Sequence, residues 1–117
     1  MSLEVRRAIV AALQELPEMS RREHAKIFTV DKPVWEVLYG GRIRDSNRYK
    51  SVFTVVVWGG LNIVSTSHVI LQLAVEQVTN ALWPVPCITI GDVSVDVQIP
   101  GLSELEFTHA KLTVTEA

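Results

Sequence analysis

A single cysteine among 117 residues, Cys87, leaves no intrachain disulfide framework and fits a reducing compartment. Long apolar runs are also scarce. The opening MSLEVRRAIVAALQELPE is broken at Glu4, Gln14 and Glu15, too short and too interrupted for a signal peptide or a membrane span. Residues 69–82 carry Gln72, Glu76, Gln77 and Asn80, so that stretch does not read as a span either, and a soluble, cytosolic chain is expected. Metal motifs are missing: His24, His68, His109 and Cys87 stand singly, without C-x-x-C, H-x-x-x-H or a carboxylate-rich loop. There is no G-x-S-x-G elbow and no glycine-rich phosphate loop; Gly40-Gly41 and Gly59-Gly60 read as strand ends. Carboxylate pairs such as Glu104/Glu106 and Asp92/Asp96 read as solvated turn and strand residues. The expectation is therefore no catalytic residue, no cofactor and no metal. A net charge of −2 also argues against a general polyanion binder, so any nucleic-acid role would have to come from a local patch.

What is present is apolar. The hydrophobic fraction is 48% and the mean hydropathy +0.24, with 21% charged residues, which argues for one folded domain over 1–117 rather than disorder. A small monomer has limited interior, so the surplus suits burial against other subunits. Val5, Ile9, Ala12, Leu13 and Leu16 fall on one helical stripe that Ser2 can cap and Pro17 ends. Residues 18–25 read as a polar connection. KIFTV (26–30) and VWEVLYGG (34–41) read as strands, and SVFTVVVWGG (51–60) as a strand apolar on both faces, hence central or covered twice. Ser65-Thr66-Ser67 offers caps for a second helix whose face is Ile70, Leu71, Ala74, Val75, Val78, Ala81 and Leu82, ended by WPVP. CITI (87–90), VSVDVQI (93–99) and LEFTHAKLTVT (105–115) complete the strands, the first two separated by Gly91-Asp92. The order α-β-β-β-α-β-β-β predicts an α+β fold, a mostly antiparallel sheet with two helices packed on one face.

The most polar stretch is YGGRIRDSNRYK (39–50). Arg42, Arg44, Arg48 and Lys50 lie there against Asp45 alone, with Tyr49 among them. Asp45-Ser46-Asn47 is turn chemistry, so the segment reads as a hairpin connection from Gly40-Gly41 to a strand opening at Ser51. One reading is a solvated tip. The other is an interaction surface in which Arg42, Arg44, Arg48, Tyr49 and Lys50 meet an acidic protein surface or a DNA backbone without base readout.

The order of pieces resembles the tail terminator (tail completion, minor tail) proteins of long-tailed bacteriophages and related phage-derived particles. The resemblance is carried by the amphipathic helix LEVRRAIVAALQELP, the strand KPVWEVLYGG, a loop, the strand VFTVVVWGG, and a helix ending in VEQVTNALWP before further strands. It implies a non-enzymatic virion protein at the tail–head junction. Its copies, typically six, form a ring that stops tube polymerisation. The implied partners are the tail tube protein and the head–neck connector, with DNA only passing through the lumen, no membrane and no cofactor. Alternatives from the residues alone are a small dimeric α+β ligand-binding or enzymatic domain, with a pocket between sheet and helices, or another phage neck or baseplate component.

Overall fold

The computed structural model describes residues 2–22, 33–98 and 105–117, with backbone alone at residues 2, 60–68, 96–98 and 105–108. Helix α1 spans Ser2–Gln14 and is followed by a two-residue strand β1, Ser20–Arg21. Three long elements follow: β2 (Val34–Asp45), β3 (Arg48–Ile63) and α2 (Val64–Leu82). Strands β4 (Ile88–Gln98) and β5 (Leu105–Glu116) complete a five-stranded sheet of order β1-β2-β3-β5-β4. Every pairing is antiparallel except β1 with β2. The α+β class and the placement of both helices on one face are as the pattern predicts.

Strand β3 is central, and the two-faced pattern of its sequence explains why. Phe53, Val55 and Val57 point into the core beneath the helices, while Val56 and Trp58, on the other face, are also buried. From α1 the i, i+4, i+8 stripe of Val5, Ile9 and Leu13 packs into that core. Helix α2 contributes Leu71, Ala74, Val78 and Leu82, lying over β3 and β5, while α1 lies over β2 and against α2. Residues Trp35 and Val37 of β2, with Ala110, Leu112 and Val114 of β5, close the layer from below. Burying each such side chain stabilises by roughly 1.5–3 kcal/mol, which is why the apolar stripes decide the face.

Four local expectations differ from the structure. The polar connection after α1 contains β1, held by Ser20 N–H donating to Pro33 O (3.1 Å) and Arg22 N–H to Trp35 O (2.8 Å). Two paired residues carry no periodicity, so sequence has nothing to read there. CITI and VSVDVQI are a single strand, β4, whose register against β5 jumps between Ile90↔Val114 and Val93↔Leu112. Gly91-Asp92 is thus a one-residue bulge rather than a turn, and the observed order is α-β-β-β-α-β-β. The other glycine pairs behave alike: β2 bulges between Tyr39 and Gly41, and β3 between Trp58 and Leu61, and neither strand ends there. Lastly, α2 starts at Val64 directly from β3, so Ser65, Thr66 and Ser67 fall inside its first turn rather than ahead of it. The KIFTV strand expected at 26–30, and His24, lie outside the described residues.

Candidate functional site

The basic stretch is no loop. Strand β2 runs through the glycine pair to Asp45, β3 begins at Arg48, and only Ser46-Asn47 form the turn. Ser46 takes φ 54° and Gly41 φ 101°. A positive φ at the first of the two turn residues is the arrangement that matches the twist of a tight hairpin. Pairing continues as Gly41↔Val52, Arg42↔Ser51, Ile43↔Lys50, Arg44↔Tyr49 and Asp45↔Arg48. Strand β5 accompanies β3 only as far as Thr115↔Val52. Beyond that point Gly41–Ser51 is a two-stranded arm whose β3 half extends past the sheet by about 14 Å, at roughly 3.4 Å per residue. The glycines that read as a strand end are the bulge at the arm's root.

Strand alternation sorts the arm's side chains. One face carries Arg42, Arg44 and Tyr49, and the Arg42 guanidinium lies over the Tyr49 ring at 4.8 Å. At the root of this face Tyr39 meets Phe53 edge-on, with ring centroids 5.9 Å apart. The opposite face carries Ile43, Asp45, Arg48 and Lys50. There Lys50 Nζ sits 2.7 Å from Asp45 Oδ2, and this bond and the lysine's charge hold the Asp45 carboxyl below its ordinary value, with Arg48 adding to the effect. Arg48 Nη2 donates to Ala117 O (2.6 Å) and Ser51 N–H donates to Glu116 Oε1 (3.2 Å), so the end of β5 ties down the arm's root. Arg44 has no partner among the described residues.

Of the five residues singled out in the sequence, Arg42, Arg44, Arg48 and Tyr49 are exposed and Lys50 is half-buried. The arm gathers them on one projection but spends their charge unequally, through Tyr49 for Arg42, Ala117 for Arg48 and Asp45 for Lys50. The charge contrast is wide. Of eleven cations and thirteen acids, the arm holds four and one, leaving seven and twelve on the rest of the chain. A projection of +3 thus leaves a body of −5.

Sequence reasoning missed what surrounds the tryptophans. Arg22 lies over the Trp58 ring at 4.7 Å and donates from Nη1 to Glu36 Oε2 at 3.0 Å, covering the sheet face opposite the helices. Arg21 lies 5.8 Å from the centroid of Trp35, whose Nε1 has no acceptor among the described residues although the side chain is buried. No periodic signal marks these pairs, because β1 places both arginines beside β2 through tertiary contact alone. Trp83, by contrast, is 81% exposed at the end of α2.

The layer between the sheet and α2, lined by Val57, Val75, Val78, Thr79, Val93, Ala110 and Leu112, holds no space as large as a water molecule. Its one polar side chain, Thr79, has its hydroxyl turned onto Val75 O and Glu76 O, each at 3.0 Å. Cys87 is half-buried and packs against the core. His109 lies on the sheet face away from the helices, opposite Trp58 of β3, and is half-buried. No three His, Cys, Asp or Glu side chains among the described residues are grouped to hold a metal ion, and no described helix is long and apolar enough to cross a membrane. Compared with protein-family models and with curated proteins, the chain matches none.

Proposed function

We propose that the chain is a structural subunit of a phage-type tail terminator, in the sense of the family it resembles. Copies associate into a ring, six in that family, which caps the tail tube, ends its polymerisation and offers a surface to the head–neck connector. DNA passes through the lumen, and the protein resides in the virion at the tail–head junction after synthesis in the host cytoplasm. The observation that carries this reading is the arm: four cations and the exposed Tyr49 on a β-ribbon projecting from an acidic body, with exposed Tyr39 at its root. Such a feature adds little to the stability of its own chain, since most of its side chains face solvent. Tyr and Arg at an exposed, projecting site are the residue types that dominate protein–protein contacts. Further support comes from apolar side chains left outside, with Val69 and Leu73 exposed on α2 and Leu38 and Ile43 on β2.

The test combines assembly with substitution. The protein is expected to cap tubes of its particle's tube protein at a defined length, as judged by electron microscopy. Changing Arg42, Arg44 and Arg48 together to Ala should leave the fold intact and abolish capping or head joining. A stable dimer that never associates with tube protein sinks the terminator reading, and normal particles from the triple variant reduce the arm to a solvated tip.

A further inference from the structure

The exposed indole of Trp83 stands beside an open groove of about 640 Å³, lined by Ala8, Ala12, Glu15 and Leu16 of α1, Ala81 of α2 and Pro84–Pro86. The wall formed by Pro84, Val85 and Pro86, which Trp83 immediately precedes, is tied to the end of α2. Trp83 N–H donates to Thr79 O (3.0 Å), Val85 N–H donates to Leu82 O (3.1 Å), and two prolines fix their own φ. The one charged side chain in the lining is acidic: Glu15, which has no partner among the described residues.

Each of the chain's other two tryptophans, Trp35 and Trp58, has an arginine of the same chain near its ring. Trp83 has none among the described residues, although it offers the largest exposed ring. The arm holds the complementary excess, with Arg44 unpartnered and Tyr49 exposed across from it on the same face. We propose that the groove between α1 and residues 83–86 receives the arm of a second copy of this chain. The Arg44 guanidinium lies on Trp83 and pairs with Glu15, and the Tyr49 ring, on the same face of the arm, covers the alanine floor. Stacking and ion pairing at one partly desolvated spot give a guanidinium more than either interaction alone in water. A second copy is the favoured occupant because the positive arm and the acidic groove are two different patches of one acidic molecule. Contact made in one direction is head-to-tail and closes a ring when the rotation between copies closes, whereas reciprocal exchange of two arms would stop at a dimer. This inference deepens the ring reading and rests on it for the arm's role.

Full-length protein is tested by sedimentation velocity over a concentration series. Trp83→Ala and Arg44→Glu should each weaken self-association about thirtyfold or more while keeping Tm within about 3 °C, because both positions are exposed. Glu15→Arg should weaken it too, and combining it with Arg44→Glu should restore most of the loss. In a Cys87→Ala background, Glu15→Cys with Arg44→Cys should give disulfide-linked multimers on mild oxidation. Single variants that assemble like the parent, a double variant no better than its parts, or a chain that stays monomeric and unlinked, each overturn the proposal. If Arg44→Glu instead abolishes only DNA or tube-protein binding and self-association is untouched, the arm has another occupant and the proposal fails. The ring reading is judged separately. Linked rings that never cap tubes refute the terminator function but keep the docking, whereas capping rings without the link do the reverse.

Discussion

At the residue scale, the arm's root depends on two adjacent glycines for different reasons. Gly41 has φ 101°, and a Cβ built there meets nothing within 4 Å, so any cost of a side chain is conformational. Gly40 has ordinary φ, but a Cβ would come within 3.2 Å of Val52 O across the ribbon, a steric cost. Gly41→Ala should therefore strain the root by about 1–3 kcal/mol. Amide exchange at Ser51 and its arm neighbours should read this as roughly ten- to hundredfold faster opening, at 1.4 kcal/mol per factor of ten. Unchanged exchange would show that the bulge does not need a glycine at Gly41. The sequence displayed both glycines but not their job. A Gly pair between apolar runs is equally compatible with a strand end and a bulge, and only the partner strand distinguishes them. One clue was legible. In β4 the apolar positions on the helix side of the sheet are Ile88 and Ile90, then Val93 and the more exposed Val95, so the alternation slips phase by one residue across Gly91-Asp92. A phase slip inside one alternating run is the signature of a bulge.

At the scale of the element, the arm is a ribbon with one tied root and one electrostatic clamp. The clamp between Asp45 and Lys50 has a definite pH sense. Because the folded carboxyl titrates below its ordinary value of 3.8, the clamp contributes fully above that value and is lost as pH falls through the lower folded value. Losing Asp45's charge also raises the arm from +3 to +4. The NMR chemical shift of the Asp45 carboxyl should titrate below 3.8, with the Lys50 ammonium shift following it. In Asp45→Asn the Lys50 transition should vanish. An Asp45 midpoint at or above the ordinary value would mean that the 2.7 Å contact is not held in solution. The helices illustrate the opposite extreme of legibility. Their stripes were plain because a helix buries a face defined by its own spacing, and Val5, Ile9 and Leu13 entered the core as that spacing required.

At the scale of the whole molecule, the chain is drawn out. Its principal extents are 51, 27 and 24 Å, and its radius of gyration is 14.9 Å, against about 13.4 Å expected for a compact domain of this length. A positive projection on a negative body makes association between copies electrostatic in part. Raising the salt from about 0.05 M to about 0.5 M should weaken self-association by roughly tenfold, because exposed charges are screened within a shrinking Debye length. Sedimentation at the two salt concentrations checks this. An association indifferent to salt would point to the exposed apolar residues of α2, Val69 and Leu73, as the contact instead.

The sequence by itself determined the fold class, the two helices with their buried stripes, and the central position of β3. Each follows from periodicity or from a run apolar on both faces, properties a segment carries without reference to its partners. It also displayed all five of the arm's candidate residues. Tertiary structure alone decided that these residues stand on a ribbon rather than a loop, which cations are engaged and which is left open, and that β1 brings Arg21 and Arg22 to the tryptophans. It likewise left Trp83 outside while burying Trp35 and Trp58. The physical reason is the same throughout: pairing register and side-chain encounters depend on which distant strand lies alongside, and no local pattern encodes that neighbour.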